Sequence, residues 1–350
     1  LFGQPAIEQG FTLLAIAIAA LSFVSFSFAL IALGLRLVND RSTQHLTSLT
    51  DVWEPTMLEV LAGSAAPQIL SAQVLDEDKD DFVSFLSGYA RRLRGDERET
   101  IRELAEPYLA DLSKKAIKGT PEERGLSVQA LAGMGMPEYA GTVARALDDE
   151  SPVVAMIAAR GLFRPGQEKY FPTVLRRLGR FTLWSRSYLA SMLAGGGPLT
   201  APMLRKILAD GSEDHLVRAV VVDSLRMLND LPSVDVALEI LRDENEDDRE
   251  LLTGCLRLVR HLGHREHLDA VMRFVTASDP VVRAASVGAV GALGSKEDVP
   301  ILQSLLDDEA YWVSLQAARG LMAMGEVTLL RRLAASTGPW TILARQVLAE

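Results

Sequence analysis

The residue types that could do chemistry are few, and their spacing works against most of the chemistry they suggest. His261, His264 and His267, with Glu266 among them, form the densest group of metal-ligand types. Imidazoles grouped on one helix face could hold a zinc-like ion. Gly263 lies inside the group, and a glycine there ends the helix, so the three rings are not expected to share a face. His261 is explained by the negative end of the helix dipole. The acidic run Asp243-Glu244-Asn245-Glu246-Asp247-Asp248 lacks the central glycine and closing glutamate of a calcium loop and reads as a solvated turn. Gly195-Gly196-Gly197 has neither a preceding strand nor a following Lys-Ser/Thr, so it reads as an inter-helix turn before Pro198, not as a phosphate loop. No nucleophile–base arrangement is visible. Cys255 is the single cysteine, which excludes an internal disulfide and any multi-cysteine metal site. The expectation is no catalytic residue, no metal and no cofactor.

Arginine is the residue type left to explain, with 29 arginines against 7 lysines. Helix terminators recur at Gly135, Gly166, Gly195, Asn229, Gly263, Gly294 and Gly325, and glycine or asparagine at such a place suits a left-handed helix stop. Six residues before each stand Gln129, Arg160, Leu189, Asp223, Arg257, Gly288 and Arg319; three before two of them stand Arg226 and Arg260. If these helices line one side of an array, Arg160, Arg226, Arg257, Arg260 and Arg319 face a shared groove. Planar guanidinium forks there would bind a partner's carboxylates or phosphates. The competing reading is that they form salt bridges to acids of neighbouring repeats.

The elements carrying these residues repeat. Terminator spacings are 31, 29, 34, 34, 31 and 31 residues, and apolar residues recur at helical intervals with no alternating strand pattern. Four residues before the terminator stand Leu131, Leu162, Ser191, Leu225, Val259, Val290 and Leu321, a core stripe. Five and eight before it are mostly Ala, Gly or Ser, which lets two helices pack closely. A shorter apolar helix, such as Val299–Leu306 or Leu268–Phe274, precedes each of these. Thr120-Pro121-Glu122-Glu123 is a capping box. The fold class expected is all-α.

The stretch Asp279-Pro280-Val281-Val282-Arg283-Ala284-Ala285 and its copies resemble HEAT repeats of the short bacterial kind, over residues 99–350. The resemblance implies an α-solenoid of helix pairs. In that family an arginine eleven residues before the terminator ties adjacent repeats to acids; it stands here as Arg124, Arg218 and Arg283. Ala155, Trp184, Leu252 and Ser314 replace it elsewhere, so irregular stacking is expected near Trp184 and Leu252.

Ahead of the array, Phe11–Leu35 is a run of 25 residues without an ionisable side chain. A helix of that length spans about 37 Å, enough for the ~30 Å hydrocarbon core of a bilayer. No basic residue precedes it, whereas Arg36 and Arg41 follow, which favours an uncleaved anchor with the array in the cytoplasm. The expected organisation is a short extracytoplasmic segment 1–10, a transmembrane helix 11–35 in the inner (plasma) membrane, a juxtamembrane helical cap 36–98, and the solenoid 99–350. Ala15 and Ala19, and Ser25 and Ala29, form small-residue pairs that let another membrane helix approach. In the cap, Pro55 is placed to start a helix, and Asp76–Asp81 to start one carrying Phe82, Phe85, Leu86, Tyr89 and Leu93. A span, then Trp53-Glu54-Pro55, then HEAT repeats is similar to bacterial membrane-anchored HEAT proteins associated with polysaccharide-synthesising glycosyltransferases. That resemblance implies a membrane-protein partner.

Composition narrows the function. The chain is 48% hydrophobic and 23% charged, so it can build a core, and its net charge of −10 disfavours nucleic acid as a partner. The expected function is a membrane-anchored, non-catalytic scaffold or regulatory subunit. The alternatives are a HEAT-like enzyme of the bilin-lyase or DNA-glycosylase type, or a periplasmic binding array. The anchor makes a direct prediction: the protein stays with membranes through an alkaline carbonate wash, and its release into the supernatant would show that residues 11–35 do not span.

Overall fold

The computed structural model describes residues 21, 23–28 and 45–350, in which every regular element is helical. Most of the expected span 11–35 lies outside the described residues, as do segment 1–10 and Ala15, Ala19 and Ala29. Residues 23–28 are helical, with Phe23, Val24, Ser25, Phe26 and Phe28 exposed. Among the described residues no helix is long and apolar enough to cross a membrane. The chain divides into two compact units, 1–112 and 113–350.

The first unit contains α1 (45–61), α2 (Pro67–Ser71), α3 (Lys79–Ala90) and most of α4 (Gly95–Lys118). The expected array start at residue 99 falls inside α4. Aromatic rings make the core of this unit: Trp53 meets Phe82 edge-on at 5.1 Å, and Phe82 meets Tyr108 edge-on at 5.7 Å. Trp53, Met57, Phe82, Leu86 and Leu109 are fully buried around them. α3 begins after the acidic turn Asp76–Asp78, as the helix dipole favours. Pro55 departs from expectation: it lies inside α1 and not at its start. A proline there removes one helical hydrogen bond, and the burial of Trp53 and Met57 on either side holds the helix through it.

The second unit continues with α5 (Pro121–Met134) and then seven helix pairs among the described residues. They are α6 (Pro137–Arg145) with α7 (Pro152–Leu162), α8 (Phe171–Leu175) with α9 (Arg186–Ala194), and α10 (Ala201–Asp210) with α11 (His215–Met227). Next come α12 (Ser233–Arg242) with α13 (Arg249–Leu262), and α14 (Leu268–Met272) with α15 (Pro280–Leu293). The last two are α16 (Val299–Ser304) with α17 (Tyr311–Ala323) and α18 (Val327–Ala335) with α19 (Thr341–Ala349). Successive second helices pack on one another, α9 on α11, α11 on α13, α13 on α15 and α15 on α17. Their starts are written locally. The Thr120 hydroxyl accepts from the Glu123 amide while the Glu123 carboxylate accepts from the Thr120 amide, and Asp214, Asp248 and Asp279 cap α11, α13 and α15.

The core stripe is as read. Leu131, Leu162, Leu225, Val259, Val290 and Leu321 are all buried, while Ser191 is exposed. Small residues set the spacing between helices: a Cβ on Gly291 would lie 2.6 Å from Gly320 Cα, and one on Gly161 2.4 Å from Ala132 Cβ. Of the seven expected terminators, four take the left-handed conformation and three do not. Gly135, Gly166, Asn229 and Gly325 have positive φ. Gly263 and Gly294 are extended, at φ −76° and −73°. Glycine is required there for room instead, since a Cβ would lie 2.4 Å from Val259 O and 2.6 Å from Val290 O, respectively. Gly195 is helical, at φ −60°.

Three arginines brace adjacent repeats. Arg124 forks onto Asp149 at 2.7 Å for both bonds, Arg283 onto Asp308 at 2.8 Å for both, and Arg218 reaches Glu246 at 3.0 Å. Arg283 also donates to the carbonyl of Ala277 at 2.6 Å. The guanidinium donors hold the Asp149 and Asp308 carboxyls below the usual range. A carboxyl depressed in the folded state contributes stability that is complete above its unfolded value of about 3.9 and is lost as pH falls through the lower folded value. Arg283→Ala is expected to cost about 2–3 kcal/mol at neutral pH, because the half-buried Asp308 carboxylate loses its guanidinium and keeps only the Ala310 amide. The wild-type–variant difference in urea midpoint is expected to shrink as pH is lowered below about 4. A difference independent of pH would show that the ion pair is not its source.

Candidate functional site

The repeat brace is missing between α7 and α9, and there the stack opens. Ala155 of α7 stands at that brace position; Trp184, its equivalent one repeat later, turns onto Phe181 with ring centroids 5.9 Å apart, while Phe163 stacks on Phe171 at 4.3 Å. The opening is a cavity of about 330 Å³ lined by Arg160, Phe163, Arg164, Tyr188, Ser191, Met192 and Gly195. This is the irregularity expected near Trp184; none is seen near Leu252, which is buried on α13, a helix packed regularly on both α11 and α15.

The five groove arginines do not share one environment. Arg160 lines that first cavity. Arg226 lies 3.6 Å from Asp223, an acid also held by Arg186 at 2.8 Å. Arg319 forks onto Glu350 at 2.8 and 2.6 Å. Arg226 and Arg319 thus have the acidic partners of the salt-bridge alternative, although Asp223 belongs to Arg226's own helix. Arg257 and Arg260 come together on α13, where Arg260 donates to Gln316 Oε1 at 3.1 Å and no carboxylate meets either guanidinium among the described residues. Burial first, and then the positive charges of Arg319 and Arg257, pull Arg260 below the ordinary arginine value. The column six residues before the terminator is also broken, because Leu189, Asp223 and Gly288 are buried.

Arg257 and Arg260 form one wall of a cleft of about 540 Å³ between α13, α15 and α17. Pro280, Val281, Ala284 and Ala285 of α15 make the floor; Tyr311, Trp312 and Gln316 of α17 stand opposite. A smaller hollow of about 80 Å³ continues past Arg260 to Arg319, between Gly288, Gly291 and Gly320. Trp312 is 67% exposed, Tyr311 48% and Val281 42%. The aromatic pair was not legible as a site from the arginine column. A signal was present: in the 31-residue step from Gly294 to Gly325, Pro280 and Val281 are replaced by Tyr311 and Trp312.

The clustered histidines do not converge. His261 pairs with Asn229 Oδ1 at 2.9 Å, while His267 Nδ1 accepts from the His264 amide at 2.9 Å. Among the described residues, ligand types are drawn together instead in the first unit, where atoms of His45, Asp78 and Asp81 lie within 4.8 Å of one another. His45 Nε2 is 3.1 Å from the buried Asp78, and burial pushes the Asp81 carboxyl up. Three donors are one fewer than a closed zinc site uses. No local spacing announces residues 33 positions apart. In the same unit Trp53 is core, and Glu54 accepts a hydrogen bond from Tyr89. Cys255 is wholly buried, with its thiol pushed up by that burial, so it is not a reactive group.

A family model of HEAT repeats matches residues 234–323, which span α13, α15, α17 and the cleft. No curated protein matches the chain. Among solved structures, human deoxyhypusine hydroxylase is 16% identical with a TM-score of 0.31, the match covering 71% of this chain and 97% of that one. A Kap121p mutant is 14% identical with a TM-score of 0.38, covering 75% and 35%. The karyopherin Kap121p bound to the extreme C-terminus of the phosphatase Cdc14p is 14% identical with a TM-score of 0.37, covering 78% and 41%. The chain therefore spans well under half of either karyopherin chain.

The exposure pattern separates two tryptophans experimentally. Trp312→Ala is expected to change stability by less than about 0.5 kcal/mol, as for a surface position, whereas Trp53→Ala is expected to cost about 3–5 kcal/mol. Chemical denaturation measures both, and a large loss at Trp312 would make it a packing residue.

Proposed function

We propose that this protein is a non-catalytic interaction scaffold that holds a membrane protein through its helical array. The observation that carries this reading is the unequal use of arginine. Arg124, Arg177, Arg205, Arg218 and Arg283 are spent on carboxylates of this chain. Arg160 and Arg257 are exposed with no acidic partner among the described residues, beside cavities that carry exposed aromatic rings. Arginine and large aromatics are enriched where proteins bind proteins.

Membrane attachment is the second part of the reading. It is supported by the uncharged run Phe11–Leu35 and by exposed Phe23, Phe26 and Phe28 within it. We place the array on the cytoplasmic side of the inner membrane, on the basis of Arg36 and Arg41. Two modest contacts with one partner, through the span and through the array, reinforce each other by effective concentration. Ala15, Ala19, Ser25 and Ala29 would supply the membrane contact. A polysaccharide-synthesising glycosyltransferase is the partner class suggested by the Trp53-Glu54-Pro55 resemblance.

Mild-detergent co-purification tests the reading. The Arg160→Glu/Arg257→Glu/Arg260→Glu variant is expected to lose about tenfold or more of the recovered membrane partner, with its helical circular dichroism unchanged. Unchanged recovery would reject these arginines as the contact, and substrate turnover by the purified chain alone would reject the scaffold.

A further inference from the structure

We propose that the cleft between α13, α15 and α17 recognises an extended segment of a partner protein in which a carboxylate stands next to a large apolar side chain. The proposal rests on the scaffold reading and adds to it the place and the chemistry of contact.

Charge argues for the carboxylate. Arg257 and Arg260 sit close enough for each other's charge, and that of Arg319, to matter, yet no acid of this chain answers Arg257 or Arg260 among the described residues. Like charges held together beside braces that are themselves neutralised, as Arg218 and Arg283 are, leave an uncompensated positive potential at the cleft. The same surface already displays the complementary chemistry once. Arg319 takes the Glu350 carboxylate in a two-bond fork, with Nε at 2.8 Å and Nη2 at 2.6 Å, and holds it below its ordinary value. A partner carboxylate at Arg257 and Arg260 would complete the same kind of pairing next door. A polyanion such as nucleic acid is disfavoured by the net charge of −10 over the whole chain.

Shape argues for the apolar neighbour. α15 presents Ala284, Ala285 and Gly288 between the two walls, so its surface recedes and leaves the hollow. A Cβ on Gly288 would lie 2.6 Å from Arg260 Nη1 and 3.0 Å from Gln316 Oε1, so glycine there lets Arg260 and Gln316 meet across the helix. Gln316 thereby fixes the guanidinium without neutralising it. Trp312, Tyr311 and Val281 surround the opening with exposed apolar surface. A volume of about 540 Å³ falls in the range of pockets that enclose a ligand of a few side chains.

Fluorescence anisotropy of short labelled peptides with the full chain in nonionic detergent tests the proposal. The probes are Gly/Ser peptides carrying a Glu-Leu-Glu-Phe core, with Gln-Leu-Gln-Phe and Lys-Leu-Lys-Phe counterparts. The Glu peptide is expected to bind about tenfold or more tighter than the Gln peptide. Trp312→Ala is expected to weaken it by about tenfold, with the melting temperature unchanged. Arg257→Glu/Arg260→Glu is expected to transfer the preference to the Lys peptide, a gain that an unfolded variant could not show; Arg257→Gln/Arg260→Gln is expected to abolish the preference. Equal binding of the Glu and Gln peptides, no binding of any of them, or a Glu preference kept in the double variants would each overturn the proposal. Partner recovery separates the two readings. A membrane partner recovered by a chain that shows no Glu preference removes the cleft and leaves the scaffold. Glu-selective binding by a chain that recovers no partner does the reverse.

Discussion

A helix pair with one apolar face cannot bury that face alone, and the second unit depends on the contact that solves this. Except between α7 and α9, each second helix lies against the next, and the contact works because small residues meet there. Gly291 faces Gly320 and Gly161 faces Ala132 at distances where an added Cβ would collide. That closeness buries Leu131, Leu162, Leu225, Val259, Val290 and Leu321 in a stripe interrupted only at the exposed Ser191. It also brings each brace arginine within reach of an acid one repeat later, as in Arg124 with Asp149 and Arg283 with Asp308.

The cavities follow from the same constraint. Where the brace position is Ala155 on α7 and the stripe position is Ser191 on α9, the close contact is lost and a hollow opens between α7 and α9. Where the contact is kept but α15 offers only small side chains to the surface, the neighbouring helices stand proud of it and form the walls of the second cleft. One opening comes from broken packing and the other from packing around an undersized helix. The second has a floor fixed by regular stacking, which suits it to hold a ligand in one geometry.

Much of this was legible in the sequence because it is periodic. The terminator spacing, the buried stripe, the capping box at Thr120 and the braces at Arg124, Arg218 and Arg283 all repeat or follow local rules, and the structure has each of them. What the sequence hid was non-periodic or decided by long-range contact. The extended conformations of Gly263 and Gly294 put them against the preceding turn's carbonyl, where glycine is needed for room, and no local signal distinguishes that need from a left-handed stop. Pro55 sits within a helix because the burial of Trp53 and Met57 outweighs a lost backbone bond. Arginines in equivalent register divide into paired and unpaired according to whether an acid such as Glu350 happens to reach them. His45 and Asp78 meet across 33 residues with no local pattern to announce it.

The central claim is that arginines answered by this chain's own acids hold the fold, while Arg257 and Arg260 are held in reserve for a partner. The most direct test is the urea midpoint of Arg257→Ala/Arg260→Ala measured beside Arg283→Ala. The account predicts that the double variant stays within about 0.5 kcal/mol of wild type, or gains slightly as like-charge repulsion is relieved, while Arg283→Ala loses several times that amount. A loss in the double variant as large as that of Arg283→Ala would make Arg257 and Arg260 structural and contradict the account.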